Sequence, residues 1–223
     1  MQARYVDGID LEQILDADSS VWSPAKPIAL DLIGTPIGLQ PAPAVMVTWA
    51  TKLIGAVNRV EVSAVHNGSE LAFRLEWVDP SHDQTLSDTT SFVDGAGILF
   101  PSVPGAPIGS MGGPKQPVNA WYWRADENDS GRQVVAEGVG TTRPVDTSMV
   151  RGRGAWKGGG WRVVISRALR VETSEPVAQL TPGETTQFGV AVWEGSNSER
   201  GGIKGYSIQW QELVLEAAPT AGR

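Results

Sequence analysis

The sequence of 223 residues contains no cysteine. Disulfide bonds, thiolate zinc sites, cysteine nucleophiles and covalent c-type haem are therefore excluded. The chain also cannot hold an iron–sulfur cluster through cysteine ligands. Any metal or redox cofactor that this chain binds must use ligands of other kinds.

Positive charge and long apolar runs are also scarce. Lys and Arg number 18 against 25 Asp and Glu, so the net charge is −7 and no basic surface is predicted for a nucleic-acid partner. The most apolar stretch, residues 27–50, contains Asp31 and is broken by Pro36, Pro41 and Pro43. Because a membrane helix needs about 20 apolar residues in a row, no membrane span is predicted.

A β-hairpin is the clearest local pattern. Residues 59–66 and 69–77 alternate apolar and polar positions around Asn67-Gly68, a pair that favours positive φ and a tight turn. The alternation places Leu71, Phe73, Leu75 and Trp77 on one face of the second strand.

Short β-branched or aromatic segments recur along the chain between turn residues and long loops. The 26 glycines and 15 prolines leave little room for long helices, and the one helix-like segment is Asp10–Ala17. We therefore predict an all-β fold, an antiparallel β-sandwich forming a single domain over residues 1–223. The further predicted strands are Val118–Arg124, Arg132–Val139, Trp161–Ser166, Gln187–Trp193 and Tyr206–Glu216; the longest loops are Asp79–Ser91 and Pro101–Pro117.

Conventional catalytic residues are few. His66 lies directly before the hairpin turn, and we interpret it as an exposed strand-end residue. His82, Asp83, Asp88 and Asp94 carry oxygen and nitrogen atoms that bind metals, but their pattern is more typical of a solvated acidic loop.

Aromatic residues leave two interpretations open. The chain has nine tryptophans, and Trp121-Tyr122-Trp123 places two indoles on one strand face. Core filling is the simpler interpretation, whereas stacking on sugars would make the domain a carbohydrate-binding β-sandwich module.

Four ordered segments together resemble a known family. They are Phe92–Gly97, Ile108–Pro114, Asn119–Trp123 and Glu199–Ser207. The segment around Met111 is a loop of small residues that lets a bulky planar group approach closely. These segments are similar to the gamma subunit of ethylbenzene dehydrogenase and to its relatives in dimethylsulfide, selenate, chlorate and steroid enzymes.

The resemblance implies a β-sandwich that binds one non-covalent haem b. It implies Met111 and Lys204 as the axial ligands of the haem iron, with Asn119 and Trp121 as further candidates for the pocket. A thioether is a soft, neutral ligand, while the lysine must lose its proton before its amine can bind iron. A desolvated pocket favours that loss because burial disfavours the ammonium.

With both axial positions filled, the resemblance implies electron transfer and no catalysis in this chain. It implies a hetero-oligomer with a molybdenum-cofactor catalytic subunit and an iron–sulfur subunit, and a soluble electron acceptor or donor. It also implies the periplasm, although the acidic residues Asp7, Asp10 and Glu12 predict no signal peptide at the start of this sequence, so a cytoplasmic location stays open. A haem domain with methionine and histidine ligands, His66 or His82, is the remaining alternative.

Overall fold

The computed structural model describes residues 1–86, 92–127, 129–145 and 149–218, and the all-β prediction is confirmed. Within these ranges lie two short α-helices, α1 (Leu11–Leu15) and α2 (Pro43–Trp49), and fourteen strands. The strands are β1 (Gln2–Tyr5), β2 (Ile28–Asp31), β3 (Ile33–Gly34), β4 (Arg59–His66), β5 (Glu70–Val78), β6 (Gly95–Pro101), β7 (Val118–Arg124), β8 (Arg132–Ala136), β9 (Arg143–Pro144), β10 (Val150–Trp156), β11 (Gly160–Ala168), β12 (Thr185–Trp193), β13 (Gly205–Tyr206) and β14 (Gln211–Leu215). No helix in the described ranges has the length and apolarity needed to cross a membrane.

The strands form two layers that share β12. One layer has the order β10-β11-β5-β4-β1-β14-β12, and the other has the order β12-β6-β7-β8-β9. Strand β13 joins β12 to β3, and β2 pairs with β4. The pairs are antiparallel except that β1 runs parallel to both β4 and β14, a detail that the sequence pattern did not predict.

The predicted hairpin is present as β4 and β5. Its face of Leu71, Phe73, Leu75 and Trp77 is buried, as the alternation predicts. Of the two turn residues only Gly68 has a positive φ, 93°. Asn67 instead uses its side-chain oxygen to accept hydrogen bonds from the backbone N–H groups of Ser69 and Glu70. The turn is thus built by an Asx interaction as well as by the glycine.

The core lies between the two layers. Phe73 of the first layer meets Phe100 of the second layer at a ring-centroid distance of 6.0 Å and Phe188 of the shared strand β12 at 5.3 Å. Trp121 packs against Phe100 at 4.7 Å. Offset and edge-on aromatic pairs of this kind each contribute about 0.5–1.5 kcal/mol beyond their buried area.

The helices cover the outside of the sheets. Asp10 caps α1 and forms a reciprocal capping box with Gln13, and α1 buries Ile14 and Leu15 on the outer face of the first layer. The sequence pattern did not predict α2, whose first turn begins at Pro43. Proline is favoured at that position because it has no backbone N–H, and the N–H of another residue there would have no partner within the helix.

Two predicted strands are shorter than their sequence patterns. Arg132–Val139 ends as a strand at Ala136, and Tyr206–Glu216 divides into β13 and β14. The division follows from β12, which pairs with β14 through its first half and with β13 near its end. The segment after β12 therefore pairs first with the end of β12 as β13 and then with its first half, in the first layer, as β14.

Candidate functional site

A cavity of about 500 Å³ lies on the outer face of the second layer. Side chains along each strand alternate between the two faces of the layer: Ile98 and Trp121 face the core, while Gly97, Ala120 and Ala191 face outward. These small outward residues leave space above the sheet, and loop residues line the sides of the cavity. The loop residues and large side chains of the walls include Gln40, Pro41, Ala42, Val45, Ile108, Gly109, Met111, Val139, Gly140, Thr142, Trp193, Gly201, Gly202, Lys204 and Tyr206.

Met111 enters the cavity wall from the loop between β6 and β7. Its φ is 57°, a left-handed value that is uncommon outside glycine. Three backbone hydrogen bonds hold the turn: Met111 N–H donates to Ile108 at 3.0 Å, Gly112 N–H donates to Pro107 at 2.8 Å, and Gly138 N–H donates to the Met111 carbonyl at 2.9 Å. Strain of this kind persists only where surrounding structure enforces it, and it is concentrated at functional sites.

Lys204 enters the same cavity from the residue before β13. Its carbonyl accepts hydrogen bonds from both the backbone N–H and the hydroxyl of Thr35, at 3.0 and 3.1 Å. The next residue, Gly205, packs closely against neighbouring backbone: a Cβ added to it would lie 2.6 Å from the Val57 carbonyl oxygen. These contacts hold the backbone of Lys204 in place and so fix the position of its Cα.

The amine of Lys204 is in an unusual environment. Only 5% of the residue is exposed, and burial lowers the pKa of Lys204 to about 8. Its Nζ lies 5.4 Å from the centre of the Trp193 ring. Within the described ranges, no carboxylate forms an ion pair with it. Burial without a counter-charge favours the neutral amine, which is the form that binds a metal.

The structure thus brings Met111 and Lys204 to one cavity. Lys115 is closer to Met111 in sequence, but it does not line the cavity. A thioether and a desolvated amine are two neutral donors, which suit a transition metal with soft or borderline character.

Asn119 and Trp121 lie on the other face of β7. Trp121 packs in the core between the layers, and its Nε1–H donates to the Asn119 side-chain oxygen at 3.3 Å. The same oxygen accepts from the backbone N–H of Ala178 at 3.2 Å. The structure does not bring these two candidates to the cavity, because the alternation of β7 sends Ala120 and Tyr122 there instead.

Three aromatic residues that the sequence did not predict as site residues also line the cavity: Tyr122, Trp193 and Tyr206. Tyr122 meets Trp193 edge-on at a centroid distance of 4.8 Å, and the Trp193 Nε1–H donates to the Gly201 carbonyl at 3.0 Å. Tyr206 is buried beside Gly109, and burial raises the pKa of its phenol. Side chains two residues apart on a strand share a face, so Tyr122 lies on the same face as Ala120, and Trp193 on the same face as Ala191. This alternation is the sequence signal that could have identified Tyr122 and Trp193.

The histidines do not join this cavity. His66 is fully buried, so its predicted exposure is wrong: β1 adds to the edge of β4 and places Tyr5 against the imidazole at 5.6 Å. His82 is exposed and stacks on Trp156 at 5.1 Å. Neither residue lines the wall that holds Met111 and Lys204.

Trp121 and Trp123, the alternative candidates for a sugar-stacking platform, are not available for one. Trp121 is fully buried and Trp123 is 2% exposed. An added Cβ at Gly154 would lie 2.2 Å from Trp123, so neighbouring backbone packs directly against this indole. Both indoles fill the core, in agreement with the simpler interpretation.

The fold is similar to that of a known carbohydrate-binding structure. A family 9 carbohydrate-binding module from Caldicellulosiruptor kristjanssonii, solved in complex with glucose, superposes with a TM-score of 0.50. The match covers 98% of this chain and 96% of the module at 12% sequence identity. At that identity the likeness concerns the fold.

Sequence relatives give closer matches. The gamma subunit of chlorate reductase from Ideonella dechloratans is 38% identical over 77% of this chain and 74% of its own length. A Haloferax mediterranei protein, provisionally named as the haem subunit of a respiratory nitrate reductase, is 29% identical over 97% of this chain and 76% of its own. The gamma subunit of dimethylsulfide dehydrogenase from Rhodovulum sulfidophilum is 28% identical over 98% of this chain and 83% of its own.

A family profile covers most of the same region. The profile described as "Ethylbenzene dehydrogenase" matches residues 19–147 and 141–205, a span that contains both Met111 and Lys204. The relatives named above are subunits of a reductase or a dehydrogenase. The chain therefore belongs to the ethylbenzene dehydrogenase gamma-subunit family.

Proposed function

We propose that this chain is a haem b subunit that transfers electrons within an oxidoreductase complex. The observation that carries the proposal is that Met111 and Lys204, from distant parts of the sequence, line one cavity. Membership of the family supports it, since the relatives are named as oxidoreductase subunits. In this proposal the two side chains are the axial ligands of the iron.

The residues of the cavity fit a haem. The floor includes the small residues Gly97, Ala120 and Ala191, and a volume of about 500 Å³ falls in the range of cofactor pockets. Met111 offers a neutral sulfur, and Lys204 offers an amine whose burial has no counter-charge among the described residues. Binding to a metal ion would give the buried Lys204 amine the partner that it otherwise lacks.

The side chains determine what chemistry the site permits. A bound haem b supplies one-electron exchange between the ferrous and ferric states. Met111 and Lys204 would occupy both axial positions and leave none for oxygen or a substrate. These features favour electron transfer over catalysis in this chain.

We further propose the partners that such a subunit requires. A molybdenum-cofactor subunit would carry out the substrate reaction and an iron–sulfur subunit would relay electrons to this chain, which would exchange them with a soluble acceptor or donor. The absence of cysteine supports this division of roles, because the iron–sulfur clusters need cysteine ligands from another chain. We place the complex in the periplasm by analogy with the family.

The test of electron transfer uses the haem-loaded full chain. After reduction and removal of the excess reductant, the chain should be oxidised by a soluble one-electron acceptor such as cytochrome c, and carbon monoxide should leave its spectrum unchanged. If carbon monoxide binds rapidly to the reduced wild-type chain, an axial position is open. Both the two-ligand assignment and the argument against catalysis would then be wrong.

A further inference from the structure

A second group of functional side chains lies at one end of the sandwich, outside the cavity. Asp79 follows β5, Asp94 precedes β6 and Glu194 follows β12, and each offers a carboxylate oxygen within 4.8 Å of the others. Asp79 and Asp94 are fully buried, and Glu194 is 5% exposed. The expectation of a solvated loop is therefore wrong for Asp94, while Asp88 lies outside the described residues.

Both oxygens of the Asp94 carboxylate accept hydrogen bonds. Its Oδ1 accepts from Gly195 N–H at 2.8 Å, and its Oδ2 accepts from Asp83 N–H at 3.0 Å and from Trp161 Nε1–H at 2.9 Å. These bonds fix the Asp94 side chain at the point where three segments meet. Neutral donors of this kind orient a carboxylate without cancelling its charge.

Asp79 and Glu194 are less completely satisfied. Asp79 Oδ1 accepts from the Ser81 backbone N–H at 3.0 Å, and Glu194 Oε1 accepts from the Ser196 backbone N–H at 3.0 Å. The Ser81 hydroxyl lies 3.0 Å from the first oxygen and 3.1 Å from the second, and it can donate its one proton to only one of them. Asp79 Oδ2 is shielded from solvent and has no hydrogen-bond partner in the described parts of the chain. An acceptor left in that state costs about 1–3 kcal/mol or more, so this oxygen points to a missing partner.

The charges of the cluster lack compensation. No Lys, Arg or His side chain within the described ranges forms an ion pair with any of the three carboxylates. Burial, followed by repulsion from Asp94 and Glu194, raises the pKa of Asp79 to about 7. Burial also raises the pKa of Asp94 to about 6. Carboxylates held this close require either a shared proton or a cation.

We propose that Asp79, Asp94 and Glu194 bind a calcium ion that ties together the ends of β5, β6 and β12. Carboxylate oxygens are hard ligands, which suit Ca²⁺ and Mg²⁺ better than zinc, copper or iron. Ca²⁺ accepts irregular arrangements of six to eight oxygens, whereas Mg²⁺ demands near-octahedral geometry and retains its waters. Three carboxylates converging from separate segments fit the more tolerant ion.

The position of Glu194 gives the ion a structural role next to the cavity. Trp193 and Glu194 are consecutive, and the Trp193 ring lines the cavity while Glu194 turns to the cluster. The backbone N–H of Glu194 also donates to Glu199, which begins the loop that ends at Lys204. A bound ion would hold the start of that loop whether or not the cavity contains a haem.

Calorimetry and thermal unfolding test the proposal on the full chain after dialysis against EDTA. Calcium chloride should bind at one ion per chain. At about 100 times the dissociation constant, it should raise the unfolding temperature by roughly 5–10 °C. Magnesium chloride should have a smaller effect at equal concentration. A wild-type chain that does not respond to millimolar calcium, or that prefers magnesium, would overturn the assignment.

Two variants locate the ion. Asp79→Asn should fold at least as stably as the wild type in EDTA, since it removes one of three repelling charges, and should lose most of the calcium-induced shift. Glu194→Gln should do the same, while Glu172→Gln, an exposed acidic residue elsewhere, should retain the full shift. If the Asp79 and Glu194 variants still bind calcium as the wild type does, the ion is bound elsewhere and the proposal fails.

A spectroscopic measurement on the wild type gives an independent answer. The Trp161 indole donates directly to Asp94, so Tb³⁺ bound in place of calcium should emit when tryptophan is excited. Added calcium should quench that emission, and Trp161→Phe should reduce it strongly. Absence of sensitised emission in the wild type would contradict a metal site at this cluster. A proton shared between Asp79 and Glu194 would then explain why their carboxylates lie so close together.

Discussion

Met111 and Lys204 lie far apart in the sequence and face the same cavity on the outer side of the β6–β7–β12 layer. One is held by a left-handed turn, and the other by the short strand that joins β12 to β3. Neither side chain belongs to the main core cluster between the two layers. Substitutions in the cavity therefore test the function with little risk of unfolding the chain.

Replacing Met111 should weaken haem binding. Met111→Ala removes the sulfur but keeps a Cβ, so the left-handed backbone at this position is strained in the variant as it is in the wild type. We expect at least a 10-fold loss in haem affinity, by comparison with the roughly 10- to 100-fold effects seen for supporting residues of metal sites. We also expect a lower reduction potential, because thioether ligation raises it.

Spectroscopic titration with haem and a redox titration measure these effects. Met46→Ala is the matched control, because Met46 is exposed on α2 and does not line the cavity. An unchanged affinity and potential in Met111→Ala would show that Met111 is only a loop residue.

Replacing Lys204 should open a coordination position. Lys204→Ala removes the only lysine that lines the cavity within the described chain. The reduced, haem-loaded variant should bind carbon monoxide, with a shift of the Soret band that the wild type lacks. Lys26→Ala changes an exposed lysine and should behave like the wild type. Equal carbon monoxide binding by the two variants would argue against ligation by Lys204.

Filling the cavity should block haem without loss of folding. Ala120→Phe adds a ring to the floor on the face opposite the core, where Trp121 remains undisturbed. We expect a loss of haem retention of about 10-fold or more and a circular dichroism spectrum like that of the wild type. Ala155→Phe, at an exposed position of β10, is the control. Full haem occupancy in Ala120→Phe would place the haem elsewhere.

The buried His66 should make stability depend on pH. Burial lowers the pKa of His66, against smaller raising effects from Glu216. The unfolded chain therefore takes up this proton first, and the free energy of unfolding should fall as the pH drops from the unfolded pKa of about 6.5 to the lower folded value. This residue can contribute a slope of up to about 1.4 kcal/mol per pH unit in that window.

Chemical denaturation of wild type and His66→Leu between pH 5 and 7.5 measures this contribution by difference. The Leu variant should lack the His66 component, whereas His82→Gln, at an exposed histidine, should keep it. A pH dependence that is identical in wild type and His66→Leu would contradict the buried neutral imidazole.

The local features of the fold were predictable from the sequence. The hairpin follows from alternation around Asn67-Gly68, and the alternation of Trp121-Tyr122-Trp123 correctly separates the core face from the outer face. The parallel pairing of β1 was not predictable, because it depends on contacts between distant segments. The burial of His66 depends on that pairing and was missed for the same reason.

The site was predictable only in part. Met111 and Lys204 follow from the resemblance, since no local pattern distinguishes Lys204 from a solvated lysine. Their common cavity depends on how the loops close over the second layer. The grouping of Asp79 with Asp94 and Glu194 likewise depends on where three strands end, which the order of residues does not reveal.

The central claim is that this chain holds one haem b, and a haem titration of the purified full chain tests it most directly. Haemin is added to the chain, and the product is quantified by the pyridine haemochrome assay in its oxidised and reduced forms. The account predicts saturation at about one haem per chain and a low-spin b-type spectrum with a sharp α-band on reduction. A chain that stays colourless after haemin addition and gel filtration would contradict it.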